Sequence, residues 1–478
     1  MRTLLLILVL SAWACNTFAQ NGINLFNDNI LHRIEISNVD TIKTLDPAFR
    51  NVYQNVSIKI DGNVYSSVGL STKGDKSFIA APNGKKPFKV KMNKYIPETK
   101  YDGIMRFNLN NGLYDNSFIR EKLTFDASAQ LGIPSPKIAF TELYIDDKYW
   151  GVYTIVEAQD EIYKRFFGND NGVTMEASGT GLPVNTLQYY GPNESDYGGL
   201  YTFDKGDPLI AWPLWITTLD KLNNTPDGNN YIDLTSPYFD FASFFKFNAV
   251  LDYNMNAEDK GRNGIYYRDA TTAKFYTICW DQNVAFPDSF DPALGSFIVT
   301  YKIAILNKYA QYSQFSDYYN GAICTLSQTI FTPTSLSAKM TLLRGIIDDA
   351  VRRDYRKGFD FATYETSFTN LINFINTRNI KSSAFLASAN YTCNPMGINT
   401  INKGNFTIYP NPSDDQITIQ VNLNSLSSTY TITDLQGRTI RTGYINSEIT
   451  LINISTLPRG MYLINFSGQN NIFKVIKK

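Results

Sequence analysis

Asp259, Asn263 and Asp281 have the types and spacing of residues that could do chemistry. Asp259 and Asn263 lie in a polar loop, N-A-E-D-K-G-R-N (Asn256–Asn263). Two β-rich segments follow, joined by Asp269-Ala270-Thr271-Thr272, and the second ends at Trp280-Asp281. A carboxylate in a loop, an amide four positions on and a second carboxylate 22 residues later (281 − 259) suit phosphoryl transfer. That chemistry takes one acceptor to orient the attacking hydroxyl and two oxygen ligands to hold Mg²⁺ on the phosphates. Asp and Asn are also ordinary turn residues, so the spacing alone fits a plain hairpin equally.

The elements that must position these residues are legible upstream. Residues 50–94 read as successive strands with turns at Asp61-Gly62, Lys73-Gly74 and Asn83-Gly84. A glycine in K-G-D-K-S-F lets the backbone approach an anion closely. In F-K-V-K-M, Phe88, Val90 and Met92 alternate inward, so Lys89 and Lys91 share the other face. Ser117–Leu131 reads as a helix, with Ile119, Leu123, Ala127 and Leu131 as its buried stripe and Glu121 between Arg120 and Lys122. Glu142–Glu157 reads as a hairpin turning at Asp146-Asp147. Further helices are expected at Pro213–Leu222, Asp240–Val250, Lys339–Asp349 and Thr363–Thr377, with residues 160–235 otherwise loop-rich.

Composition narrows the function classes. Lys+Arg and Asp+Glu both number 44, and this zero formal charge argues against nucleic acid as the main partner. The single histidine, His32, sits in a strand pattern and reads as structural. It leaves no cluster of zinc-binding histidines, and any His-dependent nucleophilic triad would have to run through it. Cys279, Cys324 and Cys393 form no CxxC pair. A Cys324–Cys393 bridge is open, and Cys279 reads as a buried small hydrophobe.

Several words in order resemble the CotH kinase family, over approximately residues 50–300. They are Val68-Gly69 to Lys73-Gly74, Ser77-Phe78, P-F-K-V-K-M-N-K (Pro87–Lys94), F-N-L-N-N (Phe107–Asn111), S-F-I-R-E-K-L (Ser117–Leu123), L-G-I-P-S-P (Leu131–Pro136), Y-W-G-V-Y-T-I-V-E (Tyr149–Glu157) and W-D-Q-N (Trp280–Asn283). The resemblance implies an α+β, atypical protein-kinase-like fold using ATP with Mg²⁺ or another divalent cation such as Mn²⁺. It implies Asp259 as the catalytic carboxylate, with Glu258 as the alternative. Asn263 and Asp281 would be metal ligands, with Asn283 a further oxygen donor. Lys73 would cover the phosphates, and Lys91 (favoured) or Lys89 would be the phosphate-pairing strand lysine, with Glu121 as its partner. Glu157 would stand at the adenine hinge. Two departures stand out: the catalytic loop is shortened, and Phe286-Pro287 replaces the usual Phe-Gly after the metal site.

Both ends carry targeting texture. Residues 1–19 read as a secretory signal, with Arg2, the apolar run Leu4–Leu10 and Thr17-Phe18-Ala19 before the cleavage point. No run is long and apolar enough for a membrane helix. From Phe406 the words I-Y-P-N-P-S, D-L-Q-G-R and L-P-R-G-M-Y punctuate short alternating strands, which argue a small β-sandwich. This segment resembles the type A C-terminal sorting domain of type IX secretion substrates. That implies partnership with the secretion machinery and export, released or surface-anchored, from a Gram-negative cell. The expected organisation is a signal peptide (1–19), a kinase-like domain (20–393), a linker (394–405) and a small Ig-like sandwich (406–478). The expected function is a secreted or cell-surface kinase phosphorylating hydroxyl groups of surface or secreted proteins. The alternative is an inactive kinase-shaped adhesin or scaffold.

Overall fold

A computed structural model of the chain describes residues 21–177, 185–256, 262–288, 290–298, 303–393, 406–409, 413–421, 429–434, 438–445, 449–466 and 472–477. The expected signal segment, the pair Glu258 and Asp259, and the expected linker lie outside the described residues. The chain divides into two compact units, Met1–Tyr391 and Thr392–Lys478.

The first unit begins with seven strands: β1 (Leu31–Ser37), β2 (Gln54–Ile60), β3 (Asn63–Thr72), β4 (Phe88–Lys91), β5 (Arg106–Asn110), β6 (Ile138–Ile145) and β7 (Lys148–Glu157). They close into a barrel in the order β1-β2-β3-β4-β5-β7-β6. The closing seam is the parallel pair β1 and β6, from Leu31↔Phe140 to Ile36↔Ile145. Two-residue turns make the local hairpins. Asp61 and Gly62 have φ of +47° and +89°, and Asp146 and Asp147 have +46° and +62°, the left-handed values such turns require. Alternation then sorts the faces. Ile34, Ile58, Phe88, Val90, Leu109 and Ile155 fill the barrel, while Lys89 and Lys91 face outward. His32 is buried on β1, its Nδ1 2.6 Å from Asp61 Oδ2, so it locks the first hairpin rather than serving a site.

The longer helices are α1 (Arg120–Gln130), α2 (Gln159–Phe167), α3 (Pro208–Asn224), α4 (Phe241–Tyr253), α5 (Ser313–Thr325), α6 (Pro333–Arg353) and α7 (Phe361–Ser388). A four-stranded antiparallel sheet lies among them. Its strands are β8 (Val173–Ala177), β9 (Thr202–Lys205), β10 (Gly264–Arg268) and β11 (Phe275–Ile278), in the order β11-β10-β8-β9. Helix α1 starts later than its apolar spacing suggests. The Asp115 carboxylate accepts from Ser117 N at 2.9 Å and Arg120 N at 2.8 Å, which holds residues 115–119 in a turn. Helix α3 starts earlier than Pro213. Asp207 caps it at Leu209 N, Pro208 takes the first turn, and Pro213 lies inside. A buried ion pair ties the barrel to the end of α6: Lys85 Nζ lies 2.7 Å from Asp354 Oδ2. Gly151 (φ +108°) makes room for it, because a Cβ there would sit 2.4 Å from the Asp354 carboxylate oxygens. Cys324 and Cys393 are both disulfide-bonded, and Cys279 is buried just past β11.

The second unit is all-β. Its strands are β12 (Phe406–Tyr409), β13 (Gln416–Val421), β14 (Thr429–Thr433), β15 (Thr439–Tyr444), β16 (Ile449–Asn453), β17 (Gly460–Phe466) and β18 (Ile472–Lys477). They form two antiparallel sheets, β12-β13-β16 and β15-β14-β17-β18. The sheets share one core that includes Ile417, Ile419, Ile432, Ile464 and Phe466. Among the described residues no helix is long and apolar enough to cross a membrane.

Candidate functional site

The barrel's outer wall supplies one side of a cleft of ≈ 800 Å³. Strand register explains why. Ser71↔Lys89, Lys89↔Asn108 and Asn108↔Val156 are successive cross-strand partners, so these four residues stand in one row. The next row holds Asn110 and Thr154, with Lys73 just beyond β3. The other side comes from β8, β9, the residue before β10 and the segment after β11, which bring Glu176, Asp204, Asn263, Trp280, Asp281 and Asn283 to the same cleft.

At one end, Lys73 Nζ donates to Asn110 Oδ1 at 2.9 Å. Asn110 Nδ2 in turn donates to Glu121 at 3.0 Å (Oε2) and 3.3 Å (Oε1). Burial pushes the Glu121 carboxyl up to about 7. The Asn110 hydrogen bond opposes this, Asp281 adds repulsion, and Lys73 pulls the other way. Burial likewise lowers the Lys73 ammonium, against the attraction of Asp281 and Glu121. Asn263 Nδ2 lies 3.4 Å from Asp281 Oδ2. Asn263 and Asp281 both hold left-handed backbone, with φ of +58° and +51°. Asn and Asp tolerate that region better than other side chains, and such strain gathers at functional sites.

At the other end, Asp160 pairs with Arg106 and lies 2.7 Å from Lys205 Nζ, which also reaches Asp170 at 2.8 Å. Between the ends, burial pushes Glu176 up to about 7, reinforced by Asp204 and Asp281 and opposed by Lys89. Burial and the Asp160 charge also raise Asp204. The cleft therefore offers ammonium groups on the barrel side and oxygen donors on the other. Gly74 (φ +73°) and its neighbours form a turn at the edge. Such a set suits a polyanion carrying a hard cation.

Residues 70–380 match the CotH kinase protein family. The chain belongs to that family. Residues 407–478 match the secretion system C-terminal sorting domain, which marks this CotH protein for secreted or cell-surface export. The inner spore coat protein H of Bacillus subtilis (strain 168) is 26% identical over 203 residues, 39% of this chain and 51% of that protein. The chain thus spans about half the length of the curated relative it matches. The crystal structure of a Helicobacter pylori proinflammatory kinase, CtkA, aligns over 60% of this chain and 94% of its own, at 10% identity and a TM-score of 0.26.

Of the CotH residues singled out from sequence, Lys73, Lys89, Glu121, Asn263, Asp281 and Asn283 all line the one cleft. Glu121 is buried with Arg120 and Lys122, not exposed on a solvated face. Lys91 stands apart. It pairs with Arg106 across β4 and β5, and burial together with Arg106 and Lys94 lowers its ammonium. It lies two residues, about 7 Å, along the strand from Lys89, on the side away from Glu121. The residue that reaches Glu121 is Lys73, through Asn110. The Glu157 side chain is taken up by Arg165 at 2.6 Å and by Lys137 N at 2.9 Å, while Val156 and Ala158 on either side of it line the cleft. Asn110, Glu176, Asp204 and Asp160 were not singled out from the sequence. Asn110 carried a usable signal: in F-N-L-N-N it alternates outward from Phe107 and Leu109. Its neighbours, however, come from pairing with β7 and from α1.

The donor set fits Mg²⁺ or Mn²⁺ in kind, since Asn263, Asp281 and Asn283 offer only oxygen as metal donor, without sulfur or imidazole. Among the described residues no three His, Cys, Asp or Glu side chains converge as a metal site. A cation here would complete its shell with phosphate oxygens and water.

Proposed function

We propose that this protein is a secreted or cell-surface atypical protein kinase. It transfers the γ-phosphate of ATP to hydroxyl groups of surface or secreted proteins and reaches its destination by type IX secretion. On this reading residues 20–393 form the kinase-like domain. Residues 1–19 are a signal peptide, 394–405 a linker, and 406–478 an Ig-like sorting sandwich. The observation that carries the reading is the convergence of Lys73, Asn110 and Glu121 on one wall with Asn263 and Asp281 on the other, across a single cleft.

The roles follow from charge. Lys73 and Lys89 take the phosphate oxygens, with the Gly74 turn over them. Asn263, Asp281 and Asn283 hold the divalent cation, which when bound neutralises charge on the phosphates. Val156 and Ala158, flanking Glu157, meet the base. Asp259 orients the acceptor hydroxyl and takes its proton. The hydroxyl oxygen bonds to the γ-phosphorus as the bond to the ADP oxygen breaks.

The test is transfer of labelled γ-phosphate from ATP with Mg²⁺ or Mn²⁺, using the full-length protein and Asp281→Ala. Labelling that the substitution abolishes supports the reading. Absence of labelling, together with no ATP-induced rise in melting temperature, overturns it and leaves the adhesin or scaffold alternative.

A further inference from the structure

Three polar groups make an unusual chain in the cleft. Lys73 Nζ donates to Asn110 Oδ1 at 2.9 Å, and Asn110 Nδ2 donates to both carboxylate oxygens of Glu121, at 3.0 and 3.3 Å. The amide orientation is chemically forced. An ammonium only donates, so it faces the oxygen; a carboxylate accepts, so it faces the nitrogen. Where Lys73 and Glu121 are ionised, each of the two links belongs to the stronger, charge-assisted class of hydrogen bond.

The fold gives Asn110 no easy substitute. Asn110 pairs with Thr154 in the β5–β7 register, which sets its Cβ on the cleft side of the wall. Asp would accept from Lys73 but repel Glu121. Leu would do neither. Gln has the right groups one methylene too far out. The amide also does not titrate. Glu121 faces Lys73 from the barrel, Asp281 from the segment after β11 and Asp115 from the turn before α1. Whatever its proton count among those neighbours, Asn110 Oδ1 still accepts from the ammonium.

We infer that Asn110 is a positioning residue, which holds Lys73 for the phosphates of a nucleotide and carries the link to Glu121 that a direct lysine–glutamate ion pair would otherwise make. This rests on the nucleotide reading above. Two consequences separate positioning from mere structure. Loss of the amide weakens binding of a ligand with phosphates and spares one without. It also adds nothing once Lys73 is gone.

The experiment is calorimetric titration of the full-length protein with ATP and with adenosine, in Mg²⁺, on the parent, N110L, N110D, K73M and the double variant K73M/N110L. The expected result is ATP binding about ten- to a hundredfold weaker in N110L, adenosine binding unchanged, and K73M/N110L equal to K73M. N110D, nearly isosteric, serves if N110L does not fold; titrated above about pH 7, where Glu121 is ionised, it too loses ATP affinity because a second carboxylate meets Glu121. ATP and adenosine weakened alike, or either variant binding ATP like the parent, would overturn the Asn110 inference while the nucleotide reading stands. A parent that binds neither ligand overturns both.

Discussion

At the Arg106 end of the cleft opposite charges touch; at the Lys73 end an amide keeps them apart. Asp160 takes both Arg106 and Lys205, and Lys205 also reaches Asp170. Burial alone would raise the Asp170 carboxyl, yet the Lys205 hydrogen bond and charge hold it below the usual carboxylate range. At the other end, Glu121 meets Lys73 only through Asn110, and its carboxyl rises to about 7. Charges that neutralise one another directly have little field left for a third party. Groups held one amide apart in a buried site are not compensated by direct contact, and burial disfavours the charge of each. On the proposed kinase reading, the Arg106 end braces the wall and the Lys73 end receives the ligand.

That contrast can be broken at either end. The largest effect is expected from Asp281→Ala. It should drop phosphate transfer by at least about a hundredfold, measured by γ-phosphate labelling, because Asp281 is the carboxylate both halves of the cleft feel. Next is a pair of lysines. Lys73→Met should weaken ATP binding about ten- to a hundredfold in calorimetry, whereas Lys91→Met should change it by no more than about twofold. Equal losses would erase the distinction drawn between the two strand positions.

A third test uses pH. The folded chain holds the Glu121 proton up to about 7, whereas an ordinary glutamate releases it near 4.5. Between those values the native state binds more protons than the unfolded chain, so stability falls as pH rises and levels off above about 7. Glu176 acts in the same direction. The melting temperature should therefore decline from about pH 5 to pH 7.5. Glu121→Gln, with no proton to keep, should decline less. A profile unchanged by that substitution would mean Glu121 is not the buried acid described here. The smallest effect is expected at the braced end. Lys205→Ala should cost about 0.2–1 kcal/mol of stability in denaturant titration and leave ATP affinity within about twofold.

Much of the local structure was readable in the chain. The alternation Phe88, Val90, Met92 gave a strand with lysines outward, and it is one. The four-residue spacing of Ile119, Leu123 and Ala127 gave α1, apart from its start. That start depends on the Asp115 carboxylate accepting from both Ser117 N and Arg120 N, which spacing does not record. Lys91 shows the same limit more sharply. Period-two alternation puts Lys89 and Lys91 on one face but says nothing of which end of β4 lies near α1. The row containing Asn110 and Thr154, next to Pro87, decides that. Lys73 then reaches Glu121 through an asparagine no spacing rule selects.

By itself the sequence determined the element types, the turns, the buried faces and the polar positions after β11, because these depend on interactions between residues a few places apart. Only the tertiary structure decided the closed barrel, whose seam joins β1 to β6 in parallel about a hundred residues away, and the membership of the cleft. Asn110, Glu121, Glu176 and Asp281 come from four separate elements. Their mutual charge and burial, and hence the raised carboxyls, exist only once those elements pack.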